Sequence, residues 1–133
     1  MKTPLRTLSV AFVVLACSVA LAAQAAPKEA AQSTAVQTMA TILSGLNHFP
    51  SDAEKQTLQG LIDAESTTAH ERTVAQALLN VNHTPPAADK PKLQAIVDDA
   101  SAPAGVKTLA GVLVNLNHTP SAEEKEALQQ LAQ

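Results

Sequence analysis

From residue 34 onward, apolar residues recur every three to four positions along the chain. Val36, Met39, Ala40, Leu43 and Leu46 fall at i, i+3, i+4 and i+7 spacing, the stripe of an amphipathic helix. Val74, Ala75, Leu78 and Val81 repeat that stripe, and so do Val106, Leu109, Ala110, Leu113 and Leu116. Between these runs lie shorter ones: Leu58, Leu61 and Ile62, then Leu93, Ile96 and Val97, then Leu128, Leu131 and Ala132. None of the segments alternates with period two, so the pattern predicts six helices and no strands.

The six runs are three copies of one pattern. Asn47-His48-Phe49-Pro50, Asn82-His83-Thr84-Pro85 and Asn117-His118-Thr119-Pro120 recur at an offset of 35 residues (48 to 83, 83 to 118). The register extends upstream through Thr38/Thr73/Thr108, Ala40/Ala75/Ala110 and Leu43/Leu78/Leu113. Downstream it holds through Lys55/Lys90/Lys125 and Leu58/Leu93/Leu128. The units are 31–65, 66–100 and 101–133, each a helix, a short turn and a helix. The fold class expected is therefore all-α: three tandem helical hairpins, stacked as a short solenoid or closed into a bundle.

Local chemistry marks the boundaries. Ser51…Glu54, Thr68…Glu71 and Ser121…Glu124 have the spacing of capping boxes, in which the hydroxyl accepts from an orphan amide and the acid returns the bond. In the second unit Pro86-Ala87-Ala88-Asp89 takes the place of that box and is expected to keep an acid in the first turn, where the helix dipole favours it. Pro91 predicts a helix that starts late or bends there. Asn47, Asn82 and Asn117 are the residues expected to take the left-handed position that closes each first helix. Pro50, Pro85 and Pro120 follow where the helix cannot continue. Ala64–Thr68 and Ala100–Gly105 read as connections between units. The period lies near that of tetratricopeptide and pentatricopeptide repeats, but the resemblance ends at period and helix count. No unit carries the Trp, Tyr and Phe of the tetratricopeptide pattern, and no family is assigned.

The residues before the repeat follow another pattern. Lys2 and Arg6 precede the apolar run Thr7–Ala23, and Ala23-Gln24-Ala25 supplies the small residues of a cleavage site. This predicts a secretory signal peptide over 1–25 and a flexible leader over 26–33, with export to a bacterial periplasm or the extracellular space. The run is at the short edge of a membrane span, and no stable span is expected in the mature chain. Val14-Leu15-Ala16-Cys17 resembles the lipobox of bacterial lipoproteins, with Leu15 larger than usual. Lipidation at Cys17 would make the protein an envelope-anchored structural component.

Composition narrows what the repeat can do. The 133-residue chain carries a formal charge of −3, which becomes −5 once Lys2 and Arg6 are removed with the signal. Cys17 is its only cysteine, so the mature chain can form neither a disulfide framework nor a thiolate site. An acidic chain with Phe49 as its one mature aromatic lacks the equipment for nucleic acid. No catalytic motif occurs: no Gly-rich phosphate loop, no H-E-x-x-H and no G-x-S-x-G. The chain is expected not to be an enzyme.

His48, His83 and His118 are the candidate chemical residues. As turn residues, they would bond the last free carbonyls of the preceding helix and sit at the negative end of its dipole. That role fits every member of Asn-His-x-Pro, whereas metal binding accounts for the histidine alone, so the turn role ranks first. As ligands, they would bind Zn, Cu or Ni, the ions that imidazole suits. In an open solenoid they would be spread along an edge; in a closed bundle of pseudo-threefold symmetry they would converge. His70, without a counterpart in the other units, is expected to be a solvated surface residue, and Asp98-Asp99 lacks the spacing of a calcium loop. The leading functional expectation is an exported interaction module that grips a protein or peptide as adaptor, inhibitor or chaperone. A periplasmic metal-binding protein using the three histidines comes second.

Overall fold

The computed structural model describes residues 32–133, so the expected signal peptide, Cys17 and most of the leader lie outside the described residues. Within them the chain is all-helical, with six helices and no strand. They are α1 (Thr34–Gly45), α2 (Asp52–Asp63), α3 (Ala69–Leu79), α4 (Lys90–Asp98), α5 (Ala104–Asn115) and α6 (Ala122–Leu131). No described helix is long and apolar enough to cross a membrane.

The helix starts follow the residues that cap them. Ser51, Thr68 and Ser121 each close a full capping box with Glu54, Glu71 and Glu124. Ser33 caps α1, accepting from the Val36 amide at 3.2 Å, and its hydroxyl also donates to Glu71 of α3. In α4 the helix begins late, at Lys90, with Pro91 in its first turn, where proline's missing N–H costs nothing. Asp89, expected in the first turn, stands just ahead of the helix because the helix starts at Lys90, and its side chain caps nothing. Its carboxylate instead accepts from Lys92 at 3.0 Å and from the Asn80 amide at 3.4 Å.

The buried stripes pack α1, α3 and α5 against one another as an inner group. Val36, Met39, Leu43, Val74, Leu78, Val106, Leu109 and Leu113 are among the fully buried side chains of that group. Leu46, Val81 and Leu116 lie at or just beyond the helix ends and are still buried. The other three helices lie outside: α2 packs on α3, α4 on α5, and α6 back on α1. Each outer helix inserts one fully buried leucine, Leu58, Leu93 or Leu128, at a position 35 residues from the next. Burying such a side chain contributes about 1.5–3 kcal/mol. At the start of α5 Gly105 is buried, and a Cβ there would collide with the Gln32 side chain and lie 3.0 Å from Cγ1 of Val36, so the absence of a side chain leaves room for both. The packing of α6 on α1 closes the arrangement, and with it goes the spread of histidines along an edge.

Candidate metal centre

The three Asn-His-x-Pro connections, α1–α2, α3–α4 and α5–α6, meet at one point. Each first helix ends in a tight turn: the amides of Leu46, Val81 and Leu116 donate to the carbonyls of Leu43, Leu78 and Leu113, all at 3.2 Å. The asparagine then bridges to the residue two places on, as Asn47–Phe49, Asn82–Thr84 and Asn117–Thr119. Beyond it Pro50, Pro85 and Pro120 are buried.

Between the bridged residues sits the histidine, and it, not the asparagine, is left-handed: φ is 78° at His48, 67° at His83 and 70° at His118. The expectation for Asn47, Asn82 and Asn117 is therefore displaced by one residue. The reason lies in the backbone bonds. The amide of His48 donates to the carbonyl of His118 (3.3 Å), His118 to His83 (2.8 Å) and His83 to His48 (2.8 Å). Each histidine gives one bond and accepts one, so the three turns form a closed cycle. Asn82 donates to the Thr84 carbonyl at 3.3 Å and Asn117 accepts from the Thr119 amide at 2.9 Å, so these asparagines bond within their own turns.

This cycle brings the imidazoles together. Their ring centroids are 5.1, 5.1 and 5.6 Å apart, edge to face, and all three residues are exposed. Nδ1 of His83 lies 3.2 Å from Nδ1 of His118. One potential ligand atom from each histidine falls within 4.8 Å of the others. Two nitrogens bound to one tetrahedral ion at about 2.0–2.1 Å stand about 3.3 Å apart. The His83–His118 spacing already matches that edge. Among the described residues none of these imidazoles bonds a helix-end carbonyl, the side-chain part of the expected turn role. The hydrogen-bond partner found is another imidazole of the triad.

Away from the triad, Lys55 and His70 each lie beside a carboxylate. Lys55 finds a partner on its own helix, 3.8 Å from Asp52, and also lies over the Phe49 ring at 5.7 Å. Phe49 is the large hydrophobic residue most exposed among those described, at 54%. His70 is half-buried and pairs with Asp99, Nε2 to Oδ2 at 3.1 Å, so it is not a free surface residue. Hydrogen bonds from the Ser101 hydroxyl and amide hold the Asp99 carboxyl below its ordinary value, with His70 and Lys107 adding to the effect.

Arg72 had no sequence signal. Its guanidinium donates to the carbonyls of Ile62 (2.8 Å), Ala64 (3.0 Å) and Thr67 (3.0 Å), joining the end of α2 to the connection that leads into α3. A groove of about 310 Å³ runs beside it, lined by Ile62, Ala69, Arg72, Thr73, Gln76, Asp89 and Lys92. Its charged groups are spent within the fold, Arg72 on carbonyls and Lys92 on Asp89. Among the described residues, the histidine triad is the cluster whose potential ligand atoms lie within reach of one ion. Comparison with known proteins finds no matching family model, no matching curated sequence and no matching solved structure.

Proposed function

We propose that the protein is an exported, non-enzymatic metal-binding protein: a closed ring of three helical hairpins whose turns hold one divalent transition-metal ion through His48, His83 and His118. One observation carries this proposal. Three histidines occupy left-handed backbone positions and point their rings at one another. A non-glycine residue in that conformation costs on the order of 1 kcal/mol, and glycine would make the same turn without the cost. The backbone cycle needs only amides and carbonyls, and histidine's tolerance of the left-handed region does not by itself aim three rings at one another. Convergence of three neutral nitrogen donors suits a metal ion, since imidazole is the ligand shared by Zn, Cu and Ni sites. Export rests on the Met1–Ala25 pattern, and the hairpin units rest on the 35-residue register.

Isothermal titration of the chelator-stripped chain with Zn²⁺ tests the proposal. One-to-one uptake is expected, and it should vanish in His83→Ala. Weak heat indifferent to that substitution would remove the metal. The contact reading keeps one supporting observation, the exposed Phe49 ring; partner binding unaffected by chelator and lost in Phe49→Ala would favour it.

A further inference from the structure

We infer that this metal centre, if it binds as proposed above, takes a monodentate anion from solution as its fourth ligand. The inference rests on that metal site and goes on to its ligand chemistry. Three histidines are the whole of the ligand group: among the described residues no Cys, Asp or Glu joins them at ligand spacing. Several carboxylates that follow the turns have partners elsewhere, Asp89 among them, which accepts from Lys92 at 3.0 Å. Glu54 and Glu124 accept from the amides of Ser51 and Ser121 at 2.7 Å in their capping boxes, and Asp52 lies beside Lys55. The histidine carbonyls are turned to the neighbouring amides in the backbone cycle. Among the described residues the fold therefore supplies three donors and no fourth.

Charge selects what fills the gap. Three neutral imidazoles leave a divalent ion with its full double charge. The flanking residues are all uncharged and exposed: Asn47 and Phe49, Asn82 and Thr84, Asn117 and Thr119. A tetrahedral ion held from one side by three ligands presents its remaining corner to solvent, as open zinc sites do. A small anion, such as a carboxylate or phosphate oxygen or a bound hydroxide, completes the coordination and lowers the uncompensated charge. A neutral donor completes only the coordination.

Cobalt makes the ligand change visible, because its absorption bands respond to coordination number and donor. The full chain loaded with Co²⁺ is titrated with azide, and separately with imidazole, at constant ionic strength and pH. The result expected is a saturable shift of the visible bands with azide, at lower concentration than with imidazole, and absent in His118→Gly. Glycine is chosen there because it accepts the left-handed backbone, and circular dichroism of that variant verifies the fold. Co²⁺ uptake without an azide response would overturn the anion site while leaving the metal site standing. Imidazole saturating before azide would overturn the preference for an anion. Failure to take up Co²⁺ would overturn both.

Discussion

At His48, His83 and His118 the backbone sits at φ between 67° and 78°, the region glycine enters freely and other residues enter at a cost. Substituting glycine there separates the turn from the chemistry. His118→Gly relieves the left-handed strain and loosens the unfolded chain, two effects of about 0.5–1 kcal/mol each and of opposite sign. Its stability in urea is expected to stay within about 1 kcal/mol of the parent, while zinc uptake disappears from the calorimeter. A large loss of stability would instead make the imidazole a structural part of the turn. Glu71 offers a different residue-scale test. Burial raises its pKa, but hydrogen bonds from Ser33 and Thr68 outweigh burial and hold it below the ordinary 4.5. The native state thus favours the carboxylate. Its contribution is complete above the unfolded value and is lost as pH falls from about 4.5 through the lower native value. Glu71→Gln is expected to flatten the acid side of the stability profile, read as urea midpoints between about pH 3 and 6. An unchanged slope would show that Glu71 contributes nothing to acid sensitivity.

Helix α2 ends at Asp63 with carbonyls that no later turn of the helix can satisfy, and Arg72 of α3 reaches across to take that of Ile62, together with those of Ala64 at the cap and Thr67 in the connection. The positive group also meets the negative end of the helix dipole. Arg72→Met keeps the stem and removes the donors, at an expected cost of about 1–3 kcal/mol, seen as a lower thermal midpoint. No change would mean that water replaces the guanidinium. Contacts of this kind separate what the sequence discloses about an element from what it hides. The capping boxes at Ser51, Thr68 and Ser121 are legible because partners three residues apart are fixed by helix geometry alone. The apolar stripes are legible for the same reason, and so is the late start of α4 at Lys90. The Arg72 bonds and the His70–Asp99 pair join different elements, and no local spacing encodes them. The left-handed histidine was within reach, since histidine tolerates that region better than most residues. Asparagine's stronger preference one position earlier concealed it.

For the molecule as a whole, the consequential fact is that α6 packs back on α1, because this closure carries the third histidine to the other two. The period of 35 residues states that three positions are equivalent but leaves open whether equivalent positions meet; curvature of the helix array decides that, and it emerges only from packing. The same closure links metal to stability. His48 and His118 come from opposite ends of the described chain, so an unfolded chain offers no preformed triad, and metal binding energy becomes folding energy. An ion that binds only the folded state stabilises it by RT ln(1 + [L]/Kd), about 2.7 kcal/mol when free zinc stands a hundredfold above Kd. For a domain near 100 residues each kcal/mol moves Tm by about 4–8 °C, so the expected rise is about 10–20 °C. The rise should depend on zinc concentration, reverse on adding chelator, and be absent in His48→Ala, as followed by circular dichroism on heating. It should also fade on acidification, because protons compete with the metal for imidazole. A metal-independent Tm would detach the triad from ion binding and leave the backbone cycle as the sole function of the three turns. A rise that survives in His48→Ala would place the zinc elsewhere on the acidic surface.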